Sequence, residues 1–528
     1  MYEKQYFNPN YNRIYLYLAM MKTKQIDRLC LCGIGFAVPL TAAAAEKQVS
    51  VPGSPNILWI YTDEHRPDSY GCYGSQWAQT PTVDKIASRG VVMQNNYVQS
   101  PASVPSRTSL MFARYPQELG VYDNRYYYQE GVLAPGLIPF HKVFENNGYQ
   151  TANFGKWHTP GQESHWGYND PFQFTRYFGP LGCYDPKEEE GCRLIHRPNG
   201  TPLVLGGTYP QADIDRLNGG TIASELTDRA LRWLEGRDTV KPFLLRVSYA
   251  WPHTPSSAPA PFDKLYEGKP FPKPYLNAAQ KYQNRSAEDK ALSNEQGGLT
   301  IPESDWEWVC QTYYGLVAYL DTQFARLYDY LEQNGMLENT IIIVSSDHGR
   351  NLGEYGACEK STFDHEVWRV PFILSYPKKI PEGVTRYDLS EHIDHARTLL
   401  GLAGIEAPVE YRGRNLFNPA EPEPDAVYGM LERGNIIDLP NAQKESNRGK
   451  RRLAIRTKDY RYDFMHTTIG GIKITNPAKW DASLYKISTD PDENNNLINN
   501  PAYANIASEL HDKLVNWFES LPYRSDGN

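Results

Sequence analysis

Two short runs constrain this chain more than any other feature. Asn56–Tyr61 (NILWIY) and Thr340–Ser345 (TIIIVS) are almost unbroken apolar segments. A strand with one wet face alternates polar and apolar residues. A continuous apolar run of this length reads instead as a strand covered on both faces, as in a parallel sheet with helices on either side. Each run leads directly into ionisable residues, Asp63-Glu64 after the first and Asp347-His348 after the second. In open α/β sheets, sites form where loops leave the carboxyl ends of strands. Oxygen-rich ligands at two such ends suit a hard cation, calcium or magnesium. Taken singly, each pair is equally compatible with capping the next helix.

The pattern between these runs supports the same layered fold. Thr82–Arg89 reads as a helix stopped at Gly90, Ser224–Glu235 as an amphipathic helix followed by a strand at Phe243–Tyr249, and Trp306–Gln333 as a long helix ended by Asn334-Gly335. Strands alternating with helices predict an α/β fold, a large mixed and mostly parallel sheet sandwiched by helices. Residues 255–300, rich in Pro, Lys, Asn and Gln, read as a surface excursion. After about residue 405 the texture changes. Glu421-Pro422-Glu423-Pro424 reads as a linker, followed by short segments at Leu453–Thr457, Tyr460–Phe464 and Leu484–Ile487 and a helix at Ala504–Leu521. The expected organisation is a larger domain over 46–405 and a smaller C-terminal α+β subdomain over 406–528, an antiparallel sheet with a helix.

The N-terminus reads as a targeting segment. Lys22, Lys24 and Arg28 precede the apolar stretch Leu29–Leu40, and Thr41–Ala45 are small. This is the layout of a secretory signal peptide over residues 1–45, with translation starting at Met20 or Met21. The apolar stretch is shorter than the ~20 residues a bilayer span requires. Cys30 and Cys32 lie at its beginning, where no lipid anchor would form, so the expected product is exported, periplasmic or extracellular, without a membrane anchor. The net charge of -8 argues against a nucleic-acid binder. Cys72, Cys183, Cys192, Cys310 and Cys358 form no CxxC pair, which disfavours a zinc knuckle. Cys183 and Cys192 bracket a short polar loop and either close a disulfide or stay reduced.

The sharpest motif is Ser103-Val104-Pro105-Ser106-Arg107-Thr108-Ser109-Leu110. It resembles the sulfatase signature, a Cys or Ser followed by x-Pro-Ser-Arg. Other clusters follow in that family's order: Asp63-Glu64, Gly155-Lys156-Trp157-His158, Pro252-His253-Thr254-Pro255, Ser346-Asp347-His348-Gly349, Lys360 ahead of Arg369-Val370-Pro371, and Asp394 with Thr398-Leu399-Leu400. The resemblance runs from about residue 54 to 523 and implies an alkaline-phosphatase-like fold. It also implies conversion of Ser103 to formylglycine by a serine-type bacterial maturase, and a sulfated carbohydrate as substrate. The implied metal ligands are Asp63, Glu64, Asp347, His348 and the modified Ser103, for Ca2+ or Mg2+. The implied catalytic set is Ser103, Arg107, Lys156, His158, His253 and Lys360: Arg107 anchoring the nucleophile, Lys156 and Lys360 binding sulfate oxygens, His158 as base and His253 as acid.

The chemistry explains why a plain serine would not serve. A serine sulfate would be stable and would jam the site, whereas a hydrated aldehyde offers one hydroxyl to attack sulfur and a second whose deprotonation expels sulfate. Three departures stand out. Met111-Phe112-Ala113 replaces the more usual Thr-Gly, Glu stands at 64 in place of the shorter Asp or an amide, and the residue to be oxidised is Ser rather than Cys. A phosphatase or phosphonate hydrolase of the same superfold, and a non-catalytic binder of sulfated glycan with unmodified Ser103, are the alternatives. Arg350, Asp364 and His365 flank the motifs as candidate substrate contacts. His392 and His395 mimic metal-ligand spacing, but the resemblance assigns that segment a structural part.

Overall fold

The computed structural model describes residues 53–124, 126, 132–160, 170–172, 192–196, 202–208, 220–254, 256–432, 450–467 and 481–522. The chain divides into Met1–Lys47, which lies outside these residues, and Gln48–Asn528. The expected signal peptide, Cys183 and Pro255 therefore fall outside the description.

Eight strands form the main sheet: β1 (Asn56–Thr62), β2 (Gly90–Tyr97), β3 (Gln150–Gly155), β4 (Asp170–Phe172), β5 (Phe243–Ser248), β6 (Thr340–Ser346), β7 (Phe372–Ser375) and β8 (Val384–Glu391), in the order β8-β2-β7-β6-β1-β5-β3-β4. Only β7 runs against its neighbours, β6 and β2, and the remaining pairs are parallel. The alternation of side chains explains the unbroken runs. Ile57, Trp59 and Tyr61 point into one core together with Ile341 and Ile343. Leu58 and Ile60 point into the opposite core with Ile342 and Val344. Both cores need apolar residues, so polar positions enter the runs only at their ends, as at Asn56, Thr340 and Ser345.

Helices cover both faces. On one lie α1 (Pro81–Ser88), α3 (Ile222–Gly236) and the 31-residue α4 (Glu303–Gln333); on the other lie α2 (Ser103–Phe112) and α5 (Asp394–Ala403). A second sheet, β9 (Val427–Glu432), β10 (Lys450–Arg456), β11 (Tyr460–Thr467) and β12 (Ala482–Lys486), is wholly antiparallel. It packs with α6 (Ala504–Ser520) through Leu510, Leu514 and Phe518. Among the described residues no helix is long and apolar enough to cross a membrane.

Two expectations need correction. Residues 255–300 are more than a surface excursion: they carry helices at Ala278–Gln283 and Ala287–Gln296, and buried Gln296 accepts from the Cys358 amide at 3.0 Å and donates to the Lys360 carbonyl at 3.4 Å. The Glu-Pro segment at 421–424 is also tied down, since Glu423 accepts from the Leu389 amide at 2.8 Å and Glu421 from the Asn415 amide at 2.8 Å.

Candidate active site

Strands β1 and β6 are adjacent and parallel, with Thr62 opposite Ser346. The next residues, Asp63 and Asp347, therefore emerge side by side at the carboxyl edge, and both are fully buried. Asp347 Oδ1 accepts the backbone amides of Glu64 at 3.2 Å and His348 at 2.9 Å. Glu64 has a left-handed backbone, φ 59. Tyr313 on α4 holds that turn, donating from its hydroxyl to the Glu64 carbonyl at 2.9 Å and accepting from the Arg66 amide at 3.1 Å.

Helix α2 begins at Ser103 from an extended Ala102. Pro105 lies in the first turn, where its missing N–H would have no intrahelical partner. Residues four apart share a helix face, so Ser103 and Arg107 both look at the acid pairs. Ser103 Oγ is 2.9 Å from His348 Nε2. Arg107 donates through Nε to Asp347 Oδ2 at 2.7 Å and through Nη2 to Asp63 Oδ2 at 2.6 Å. Its Nη1 reaches the Lys156 carbonyl at 3.2 Å and Ser248 Oγ at 3.1 Å. The helix ends on Ala113, whose left-handed backbone (φ 49) is one that glycine would adopt without strain.

Lys156 follows β3 at the same edge. Gly155 makes this possible: with φ +104 and Ser248 O only 2.0 Å from where a Cβ would lie, no larger residue fits. The Lys156 ammonium is paired with Asp63 Oδ2. Lys360 Nζ donates to Glu64 Oε1 at 2.5 Å and lies 3.0 Å from His253 Nε2. His253 Nε2 is 3.3 Å from the same Glu64 oxygen, and its Nδ1 is 2.5 Å from the Thr254 carbonyl. A carbonyl can only accept, so Nδ1 carries the proton and Nε2 presents a lone pair. The same logic holds for His348, whose Nδ1 faces the Gly349 carbonyl at 2.9 Å, leaving Nε2 as a lone pair toward Ser103.

Three carboxylates (Asp63, Glu64, Asp347) thus face four cations (Arg107, Lys156, Lys360, Arg350), a site with positive excess that favours an anionic substrate. Burial raises the Asp63 carboxyl, but Lys156 and Arg107 more than reverse this and hold it well below the ordinary range. Glu64 is likewise held low by His253, Lys360 and Arg350 against its burial. Desolvation brings Lys156 down to about 8 despite Asp63, and pushes His253 down to about 3. Against the burial that lowers it, Glu64 and Asp63 raise the Lys360 ammonium. Desolvation, then Lys156 and Arg107, lowers His158 well below the imidazole value.

The residues fit a hard cation. Ligand atoms of Asp63, Asp347 and His348 lie within 4.8 Å of one another, as do those of Asp63, Glu64 and His253. Both groups share Asp63. Asp63 Oδ1 is buried without a hydrogen-bond partner, a costly arrangement unless something else satisfies it. Beside it, His348 turns a neutral nitrogen inward, the form a metal requires.

Comparison with known proteins identifies the family. The sulfatase family profile matches residues 55–405, more than half of the chain. The chain belongs to the sulfatase family. This sulfatase is a sulfuric ester hydrolase, and a second profile, N-sulphoglucosamine sulphohydrolase, C-terminal, matches residues 353–520. It is 27% identical to an N-acetylglucosamine-6-O-sulfatase of Bacteroides thetaiotaomicron, over 89% of this chain and 87% of that protein. It is 29% identical to human (Homo sapiens) iduronate 2-sulfatase, over 88% and 95% respectively. Among solved structures, the phosphonate monoester hydrolase of Agrobacterium radiobacter shares the fold with a TM-score of 0.69 at 21% identity, covering 88% of this chain and 95% of that one.

The structure brings Asp63, Glu64, Ser103, Arg107, Lys156, His253, Asp347, His348 and Lys360 into one connected cluster, with half-buried His158 beside Lys156. The flanking candidates behave differently. Arg350 is fully buried and donates to Glu64 Oε2 at 3.0 Å, so it faces the acids rather than a substrate. Asp364 is buried against Arg285 at 2.9 Å and Asn351 at 3.2 Å. His392 lies between Tyr61 OH and Ser106 Oγ, each 3.3 Å away, and His395 stacks on Phe372. Motif reading missed Tyr313 and Ser248. Only the helical period gave any sign of Tyr313, and that sign marks burial rather than the hydroxyl's task.

Proposed function

We propose that this sulfatase removes sulfate from a sulfated carbohydrate, using a formylglycine made from Ser103 by a serine-type maturase, and that it is exported to the periplasm or beyond. The names of the relatives support the substrate class, and one solved neighbour at TM-score 0.65 is in complex with D-glucosamine-2-N,6-O-disulfate. The observation that carries the reading is Ser103 Oγ, 2.9 Å from His348 Nε2 at the head of a buried helix whose Arg107 ties both acid pairs. That oxygen stands in for one hydroxyl of the hydrated aldehyde. Asp63, Glu64, Asp347, His348 and the modified residue 103 would hold a calcium or magnesium ion, which when bound supplies positive charge to a sulfate oxygen and to the nucleophile.

The remaining steps belong to side chains of this chain. Arg107 keeps the two aspartates in register and stabilises charge on residue 103. Lys156 and Lys360 supply ammonium donors to sulfate oxygens. His158, neutral near pH 7 by its lowered pKa, serves as the base that deprotonates the second hydroxyl. The proton for the leaving alcohol resides on the His253–Lys360 pair, whose nitrogens are 3.0 Å apart.

The test is the mass of the peptide containing Ser103 from protein made in its native host. An aldehyde, two hydrogen atoms lighter than serine, is expected, and protein made without a serine-type maturase should fold but not turn over sugar sulfates. Rapid turnover by protein whose Ser103 is shown to be unmodified would overturn the mechanism. Faster hydrolysis of phosphate or phosphonate monoesters than of any sulfate would overturn the substrate class.

A further inference from the structure

Glu64 is the ligand with the weakest intrinsic hold. It has one more methylene than aspartate, hence one more rotor to fix, and its backbone is in the left-handed region. The two carboxylate oxygens have different surroundings. Oε1 faces the shared centre, next to Lys360 Nζ at 2.5 Å and His253 Nε2 at 3.3 Å. Oε2 faces away and accepts from Arg350 Nη1 at 3.0 Å. Arg350 is itself immobilised: fully buried, its Nη2 donates to the Cys358 carbonyl at 3.1 Å, and its own carbonyl accepts from Arg66 Nη1 at 3.3 Å. Tyr313 holds the backbone of Glu64, donating to its carbonyl at 2.9 Å. One end of Glu64 is thus clamped while the other is aimed.

We propose that Arg350 is a positioning residue that, through Oε2, holds the Glu64 carboxylate so that Oε1 serves as a ligand of the bound cation. This rests on the divalent-cation reading above. The sign of the effect separates positioning from plain electrostatics. A guanidinium beside a dication repels it, so removing the charge alone should tighten cation binding. Removing a clamp should weaken it, and loss of a group that orients a metal ligand typically costs ~10- to 100-fold in affinity.

The experiment is calorimetric titration of Ca2+, then Mg2+, into chelator-treated full-length protein. The variants are Arg350→Met, Arg350→Lys, Glu64→Ala and Glu64→Ala with Arg350→Met, each checked for thermal unfolding without metal. Expected are a ~10- to 100-fold weaker Kd for Arg350→Met and partial recovery in Arg350→Lys. In the Glu64→Ala background the further loss should be small, because the two residues act as one unit. Unchanged or tighter Ca2+ binding by folded Arg350→Met overturns the proposal, as does an equal loss without Glu64. Should Arg350→Met fail to fold, Arg350→Lys decides: near-native unfolding with several-fold weaker Ca2+ binding supports the clamp, and unaltered affinity rejects it. A parent protein that binds neither ion removes the cation reading itself, an outcome distinct from normal binding that ignores Arg350.

Discussion

Arg107 directs its guanidinium wholly into the protein, bridging Asp63 and Asp347 at 2.6 and 2.7 Å. A planar fork can join two carboxylates, whereas an ammonium is a single point of charge. Arg107→Lys should therefore lower kcat/KM by ~100- to 1,000-fold, the scale seen when a fixed donor at a reaction centre is lost, although net charge is unchanged. Steady-state kinetics on a sugar sulfate checks this. The His253–Lys360 pair gives a second residue-scale prediction. A sugar alkoxide needs a proton on leaving, and a nitrophenolate scarcely does. His253→Ala should cost ~100- to 10,000-fold on a sugar sulfate and far less on an activated aryl sulfate. Lys360→Ala, which on the proposed mechanism also removes a sulfate contact, should penalise both substrates. Equal losses on both substrates for His253→Ala would leave Lys360 as the sole proton source. The motif residues were legible for two reasons: Ser103 to Leu110 resembles the family signature, and 63 and 347 each follow an apolar run. Arg350 and Tyr313 were not legible in their roles, because each acts on Glu64 from more than 240 positions away.

At the scale of elements, β1 and β6 could be read from sequence while α2 could not. Every residue of α2 is buried, polar Ser103, Ser106 and Arg107 included, so no solvent-exposed face marks its period. Strand β8 was hidden for the opposite reason: its N-terminal half, at the sheet edge, is partly exposed and polar. Gly155 joins strand to site, and Gly155→Ala should drive a Cβ into the Ser248 carbonyl, displacing Lys156 and lowering both Tm and kcat/KM. An unaltered Tm in calorimetry would count against this. The end of β8 makes the opposite kind of prediction. Burial, then Asp394, raises the Glu391 carboxyl from 4.5 to about 8. Between those values the folded state holds a proton that the unfolded chain has released, so this group destabilises increasingly as pH rises through the window, fully so above it. Glu391→Gln keeps an acceptor for the Tyr115 hydroxyl, now 2.8 Å away. It should raise Tm by roughly 2 °C at pH 8.5, and the gain should vanish near pH 4.5.

Across the whole molecule, the antiparallel sheet is secured by a buried ion cluster. Arg452 donates to Asp463 at 2.6 Å and pairs with Asp289 at 3.2 Å, while Arg461 pairs with Glu493 at 2.9 Å and Asp463 at 2.7 Å. Arg452→Met would strand buried carboxylates and should cost ~3–5 kcal/mol, read from the denaturant midpoint. Sequence texture predicted that sheet and its helix, but not the charges beneath it, which come from segments more than 150 residues apart. The strand order has a further consequence, one of timing. Ser103 is buried in the folded protein, and His348, which follows β6 and lies 2.9 Å from it, is made far later. At ~5–20 residues per second the ribosome needs roughly 10–50 s to travel from one to the other. Any enzyme that oxidises Ser103 must work within that interval, or on a chain still kept unfolded. On the proposed mechanism, chains that close first would be locked out of maturation, so protein folded with Ser103 unmodified and then mixed with active maturase should keep its serine, while the same chain offered unfolded should lose it.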